Sequence, residues 1–214
     1  MNMKKIFVLA ATLLMTASLA LAQELSVNAG YIFSTLSETS GNQGNKESTS
    51  GVSLGASYNI PIADNLGITP GLYYSLLTGQ GSGSLLLGLA NTTVKFSEHA
   101  INLPVHLNYT IGVSRHANLY LFAGPTFQVG LSSKYKAEAA IPILNLGAKT
   151  VIDNYEDLDM NRFNIFLGGG AGMDLNSTIR VTVGFDYGLL NLSKNDNVKS
   201  NRYNLKIGVA YLFD

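Results

Sequence analysis

The chain alternates. In NRYNLKIGVAYLFD, residues 201–214, Tyr203, Leu205, Ile207, Val209, Tyr211 and Phe213 occupy every second position. Asn204, Lys206, Gly208, Ala210 and Leu212 lie between them. Bulky apolar residues at a period of two predict a β-strand with one apolar face. The same pattern predicts seven more strands upstream, over residues 24–35, 50–60, 66–77, 96–111, 117–131, 161–175 and 178–190.

The connections alternate too. Short turns, PIADN, GVSRHA and NST, follow the second, fourth and sixth strands. Long polar stretches follow the odd-numbered ones, and the first, LSETSGNQGNKESTS, reads as a surface loop of turn-forming residues. Two stretches inside the long connections, SLLLGLA (84–90) and AAIPILNL (139–146), fit hairpin extensions, a cover for the mouth or further strands. Parity agrees across every short turn, pairing Ile60 with Ile68, Tyr109 with Leu119 and Met173 with Val181 on shared faces.

Alternation does not say which face meets water, but the aromatic residues do. On the bulky face Tyr58, Tyr109, Tyr211 and Phe213 lie near the short turns. Phe33, Tyr74, Phe127, Phe163, Tyr187 and Tyr203 lie near the opposite strand ends, with Leu, Val, Ile and Ala between the two groups. Two aromatic belts flanking an aliphatic band match the two interfaces of a bilayer. The other face is mainly Gly, Ser, Asn and Thr, which lacks the charge a soluble barrel needs outside. The expected fold is all-β: an eight-stranded antiparallel up-and-down transmembrane β-barrel with a side-chain-filled lumen.

Composition supports this. Charged residues make up 13% of the chain, about half the ~25% usual in soluble domains. MNMKKIFVLAATLLMTASLALA has a basic start, a short apolar run and a small-x-small end, so residues 1–22 read as a cleaved signal peptide. Residues 23–214 then form one barrel domain bound for the bacterial outer membrane. Without Lys4 and Lys5 that domain carries twelve basic and fourteen acidic residues. With no basic surplus, nucleic acid is excluded as a partner. Cysteine is absent, so no disulfide braces the fold.

Candidate chemistry is sparse. The lumen-facing charges Asp174, Arg180, Asp186 and Lys206, with His106, form the site of interest. A three-residue turn at Ser177 sets Asp174 opposite Arg180, and Lys206 is the candidate partner of Asp186. His99 follows Ser97 and Glu98, but neighbours on a strand point to opposite faces and cannot all converge. His116 falls in a short turn. No histidine is followed two positions on by the serine that lipid A deacylase barrels use. DNYEDLD (153–159) reads as a solvated acidic loop rather than a metal site, and GQGSG and GGGAG lack the Lys-Ser/Thr of a phosphate loop. No metal, cofactor or catalytic residue is expected.

INLPVHLNY followed by NLYLFAGPTF (101–109 and 118–127) resembles the outer membrane protein β-barrel domain family, which includes PorT-like and porin family proteins. The overall plan is similar to the OmpA and OmpX barrels. The resemblance implies an outer-membrane location and supplies no catalytic motif. The expected role is structural or interactive. The alternatives are a narrow channel and a lipid-modifying enzyme. Expected partners are outer-membrane lipids, extracellular partners of the loops and the barrel-assembly machinery, which reads a terminal aromatic, here Phe213, shifted by one residue because Asp214 follows it. A monomer is expected.

Overall fold

The computed structural model describes residues 25–41, 43–85, 90–141, 146–195 and 198–213. It contains strands β1 (Leu25–Ser40), β2 (Gln43–Tyr58), β3 (Ile60–Ala63), β4 (Leu66–Leu85) and β5 (Ala90–Ser114). They are followed by β6 (Ala117–Ile141), β7 (Leu146–Asp153), β8 (Phe163–Leu175), β9 (Ile179–Gly188) and β10 (Val198–Leu212). Eight of them form a ring of antiparallel neighbours in the order β1, β2, β4, β5, β6, β8, β9 and β10. The ring closes where β10 pairs with β1, from Ser26 opposite Leu212 to Ser40 opposite Val198. Closure leaves no strand edge unpaired in a medium that offers backbone groups no hydrogen bonds. β3 continues the line of β2 at the short-turn end, and β7 pairs only with β6.

The burial pattern is inverted relative to a water-soluble barrel. Leu54 is 61% exposed and Val183 52%, whereas Asp186 is 3% exposed and Asp174 5%. Apolar side chains therefore cover the outside and polar ones the inside. On β10 Tyr203 and Tyr211 lie eight residues apart. That is about 26 Å along a strand at ~3.3 Å per residue, or roughly 20 Å of height at a ~40° tilt. The spacing suits the ~25 Å apolar band of a membrane barrel.

Two expectations, the first and third below, need correction, and the second point decides between alternatives that the sequence left open. First, LSETSGNQGNKESTS is not a loop. β1 and β2 pair without a break from Leu25 opposite Tyr58 to Ser40 opposite Gln43. Outside the bilayer both faces of a hairpin meet water, so the apolar period vanishes while Thr and the backbone ladder keep the strand. Second, β4 and β5 pair up to Leu85 opposite Ala90, and β6 and β7 up to Ile141 opposite Leu146. The stretches 84–90 and 139–146 thus extend hairpins and add no strand to the ring; positions 86–89 and 142–145 lie outside the described residues, as do residues 1–22, the expected signal peptide. Third, the inside is not only small and polar. Tyr73, Tyr120, Phe122 and Phe166 point into it. Gly170 and Gly184 make room for one of them, because a Cβ at either would meet Phe122 Cζ at 2.7 or 3.0 Å.

Candidate functional site

The lumen face carries ion pairs. Nearest the short turns is Asp174–Arg180. Leu175 O accepts a hydrogen bond from Thr178 N at 3.0 Å, closing a turn in which Asn176 and Ser177 have φ of 50° and 54°. This turn sets Asp174 opposite Arg180 in the β8–β9 register. Arg180 donates from Nε to Asp174 Oδ1 at 2.5 Å and from Nη2 to Oδ2 at 2.8 Å, a two-pronged pair. Its guanidinium also lies 3.4 Å from the centre of the Tyr120 ring, which stacks on Phe122.

Further up, Lys206 pairs with Asp186 across β9 and β10. The register is diagonal: Asp186 faces Asn204, and Lys206 faces Gly184. His106 lies beside them on β5, its Nε2 3.4 Å from Thr126 Oγ1 and its ring 5.2 Å from Phe122. Polar side chains link neighbouring strands at these levels. Gln128 donates to Asn102 and Asn102 to Ser75, both at 2.8 Å.

The lumen was expected to be filled, yet the centre keeps a cavity of about 150 Å3 lined by Asn28, Ser75, Asn102, Gln128, Asn204 and Phe166, among others. Asp186 Oδ1 and Asn204 Oδ1 have no hydrogen-bond partner among the described residues. Asp186 and Asn204 line this cavity, whose wall is mainly apolar but which is large enough for a water bonded to these polar atoms.

The most buried ion pair was missed in the sequence. Glu98 and Arg202, 4% and 6% exposed, bond through both carboxylate oxygens, with Arg202 Nη2 to Glu98 Oε2 at 2.9 Å. Ser133 donates to Glu98 Oε2 at 3.3 Å, and Asn154 donates to Ser133 at 2.9 Å. This layer lies one lumen-facing step above Asn204 and covers the cavity on the side of the long hairpins. Above it the Tyr135 hydroxyl donates to Glu47 at 2.8 Å. Burial, and then the Glu47 carboxylate, push the Tyr135 phenol above its ordinary value, so it remains a donor. Parity was the available signal: Glu98 shares a strand face with His106, and Arg202 shares one with Lys206.

The ten aromatic residues read as interface belts all lie on the outer face. Phe33, Tyr74, Tyr109, Phe163, Tyr187, Tyr211 and Phe213 are exposed, while Tyr58, Phe127 and Tyr203 are half-buried. Tyr31 packs against Phe33 and Tyr211 against Phe213, with ring centres 4.8 and 4.9 Å apart.

A single description matches most of the chain: the model of the outer membrane protein beta-barrel domain covers residues 21–194. The chain belongs to that family. No curated protein matches it. Among solved structures it is similar to Ail, the attachment invasion locus protein of Yersinia pestis in complex with the heparin analogue sucrose octasulfate. That match has 14% identity, a TM-score of 0.44, and covers 88% of this chain and 97% of that one. It is also similar to Neisserial surface protein A, with 15% identity, a TM-score of 0.45 and the same coverage of both chains. A third is the outer membrane enzyme PagL, with 13% identity, a TM-score of 0.42, and coverage of 83% and 97%.

As a member of this family the protein lies in the bacterial outer membrane. In that setting the short turns face the periplasm and the long hairpins the exterior.

The other groups with possible chemistry are dispersed. Ser97 and His99 share the outer face of β5, while Glu98 points inward to Arg202. His99 Nδ1 is held by the Tyr74 hydroxyl, and Ser97 makes no hydrogen bond to His99. In DNYEDLD the carboxylates turn to separate partners: Glu156 to Arg162, Asp159 to Lys194, and Asp157 to the backbone N–H of Asp153. Among the described residues no three His, Cys, Asp or Glu side chains converge on a metal-sized site.

Proposed function

We propose that this protein is a non-catalytic surface barrel whose long hairpins present a stiff polar platform to an external partner, while the lumen holds the wall together. The observation that carries this reading is the continuation of strand pairing far beyond the outer aromatic belt. The β4–β5 ladder runs on from Tyr74 opposite Ile101 to Leu85 opposite Ala90. Paired hairpins hold a fixed shape, so a partner binding them loses less ordering entropy than one that binds a free loop. Three ion pairs on the lumen face, two between neighbouring strands and one from β5 to β10, favour a wall-bracing role over conduction. A monomer exported by a leader at 1–22, and assembled through the penultimate aromatic Phe213, fits the same reading.

Against the channel reading, the purified chain in planar bilayers is expected to give no steady unit conductance at neutral pH. Regular openings of uniform size would contradict the proposal. Against the enzyme reading, membranes with the native chain and with Ser97→Ala are expected to show the same lipid acylation. Loss of an acyl chain that depends on Ser97 would assign a catalytic role to the outer face of β5.

A further inference from the structure

The β2–β4 ladder ends at Ser50 opposite Thr78. Above that point β2 keeps only β1 as a neighbour and β4 keeps only β5. The two hairpins part and leave a notch in the wall. Phe33, a residue of the outer aromatic belt, lines the bottom of the notch. Hydroxyls of Ser48, Ser50 and Thr78 line its sides, and Lys95 and Lys136 its upper part.

Those two lysines are the unexplained feature. They are directly opposite each other in the β5–β6 register, and both are exposed. Like charges in facing positions destabilise a sheet unless something offsets them. Neither lysine makes an ion pair among the described residues, while their neighbours do. Lys134 pairs with Asp153 at 3.8 Å, and Glu138 pairs with Lys149 at 3.2 Å. Glu98 is engaged inside the barrel by Arg202, and Glu47 above it by Tyr135. Among the described residues no carboxylate lines the notch. The wall thus offers two free ammonium groups and a row of hydroxyls, starting at the aromatic belt and rising from it.

We infer that the notch holds a phosphate-bearing headgroup of an outer-leaflet glycolipid, with Lys95 and Lys136 closing on the phosphate and the hydroxyls contacting the sugar. A membrane-anchored anion fits better than a free one because the notch opens sideways, at the belt, where lipid headgroups lie. Charge-assisted bonds from two ammonium groups to one phosphate would offset their mutual repulsion. This inference does not depend on the surface-platform reading.

The test uses the full chain in vesicles that contain a phosphorylated glycolipid or the same lipid with its phosphates removed. Bound lipid is counted by native mass spectrometry, and folding of each variant is checked by its heat-dependent gel mobility. The native chain is expected to retain the phosphorylated lipid about tenfold more than the dephosphorylated one. The double variant Lys95→Gln/Lys136→Gln should lose that preference, and Lys95→Arg/Lys136→Arg should keep it. A folded Gln variant that still prefers the phosphorylated lipid as strongly as the native chain does would overturn the inference. So would displacement of the lipid by inorganic phosphate, which marks a free-anion site, or by an extended peptide paired to the open edges of β2 and β4.

Discussion

Replacing Glu98 by Ala is expected to destabilise the barrel by about 3–5 kcal/mol, because it leaves the Arg202 guanidinium buried without a counter-charge. Arg202 is 6% exposed and its Nε already lacks a partner, so no neighbour stands ready to take the place of Glu98. Ser133 would lose its acceptor as well. Denaturant unfolding in detergent micelles or vesicles measures the loss. Removing both charges should behave differently. Glu98→Leu with Arg202→Met removes the uncompensated ion and is expected to recover most of the stability, since buried pairs are often close to neutral against apolar replacements. If Glu98→Ala alone changed stability by less than about 1 kcal/mol, the pair would not be buried as described.

Val183→Arg is the second large expected effect. Val183 is 52% exposed, and it faces Ile207, which lies midway between Tyr203 and Tyr211. At an exposed position in water such a change is worth within about ±0.5 kcal/mol. Facing the middle of a bilayer it costs about 2–4 kcal/mol. Thr39→Arg is the control, because Thr39 is exposed on the outer hairpin well above Phe33. Unfolding from vesicles should show the penalty at 183 and almost none at 39. Equal, small effects would mean that the apolar face does not meet lipid.

How much could be read from the sequence depended on how each register is set. A three-residue turn fixes cross-strand partners, so Asp174 opposite Arg180 followed directly. Lys206 and Asp186 were placed on the right face by parity, but residues 189–197 leave the offset between β9 and β10 free, and their diagonal pairing appears only in the structure. Glu98 and Arg202 are 104 positions apart and meet across the lumen. No local turn relates them, and Glu98 drew attention as a neighbour of Ser97 and His99 rather than as an inward residue. The outer hairpins were hidden for another reason. Both of their faces meet water, so the strand carries no apolar rhythm even though its backbone ladder is complete. Tyr73 and Phe122 had inward parity throughout, but the abundance of small residues on that face obscured the large ones those glycines accommodate.

The central claim is that the bulky face of each strand meets lipid and the polar face a closed lumen. The chain has no native cysteine, so single Cys variants can report it one position at a time. Spin labels at positions 204–209 of β10, in vesicles, can be scored for collision with oxygen, which concentrates in the bilayer, and with a water-soluble nickel complex. The predicted result is strict alternation, with high oxygen access at 205, 207 and 209, low access to both reagents at 204, 206 and 208, and the greatest oxygen excess at 207. High oxygen access at the even positions, or no alternation, would contradict the account.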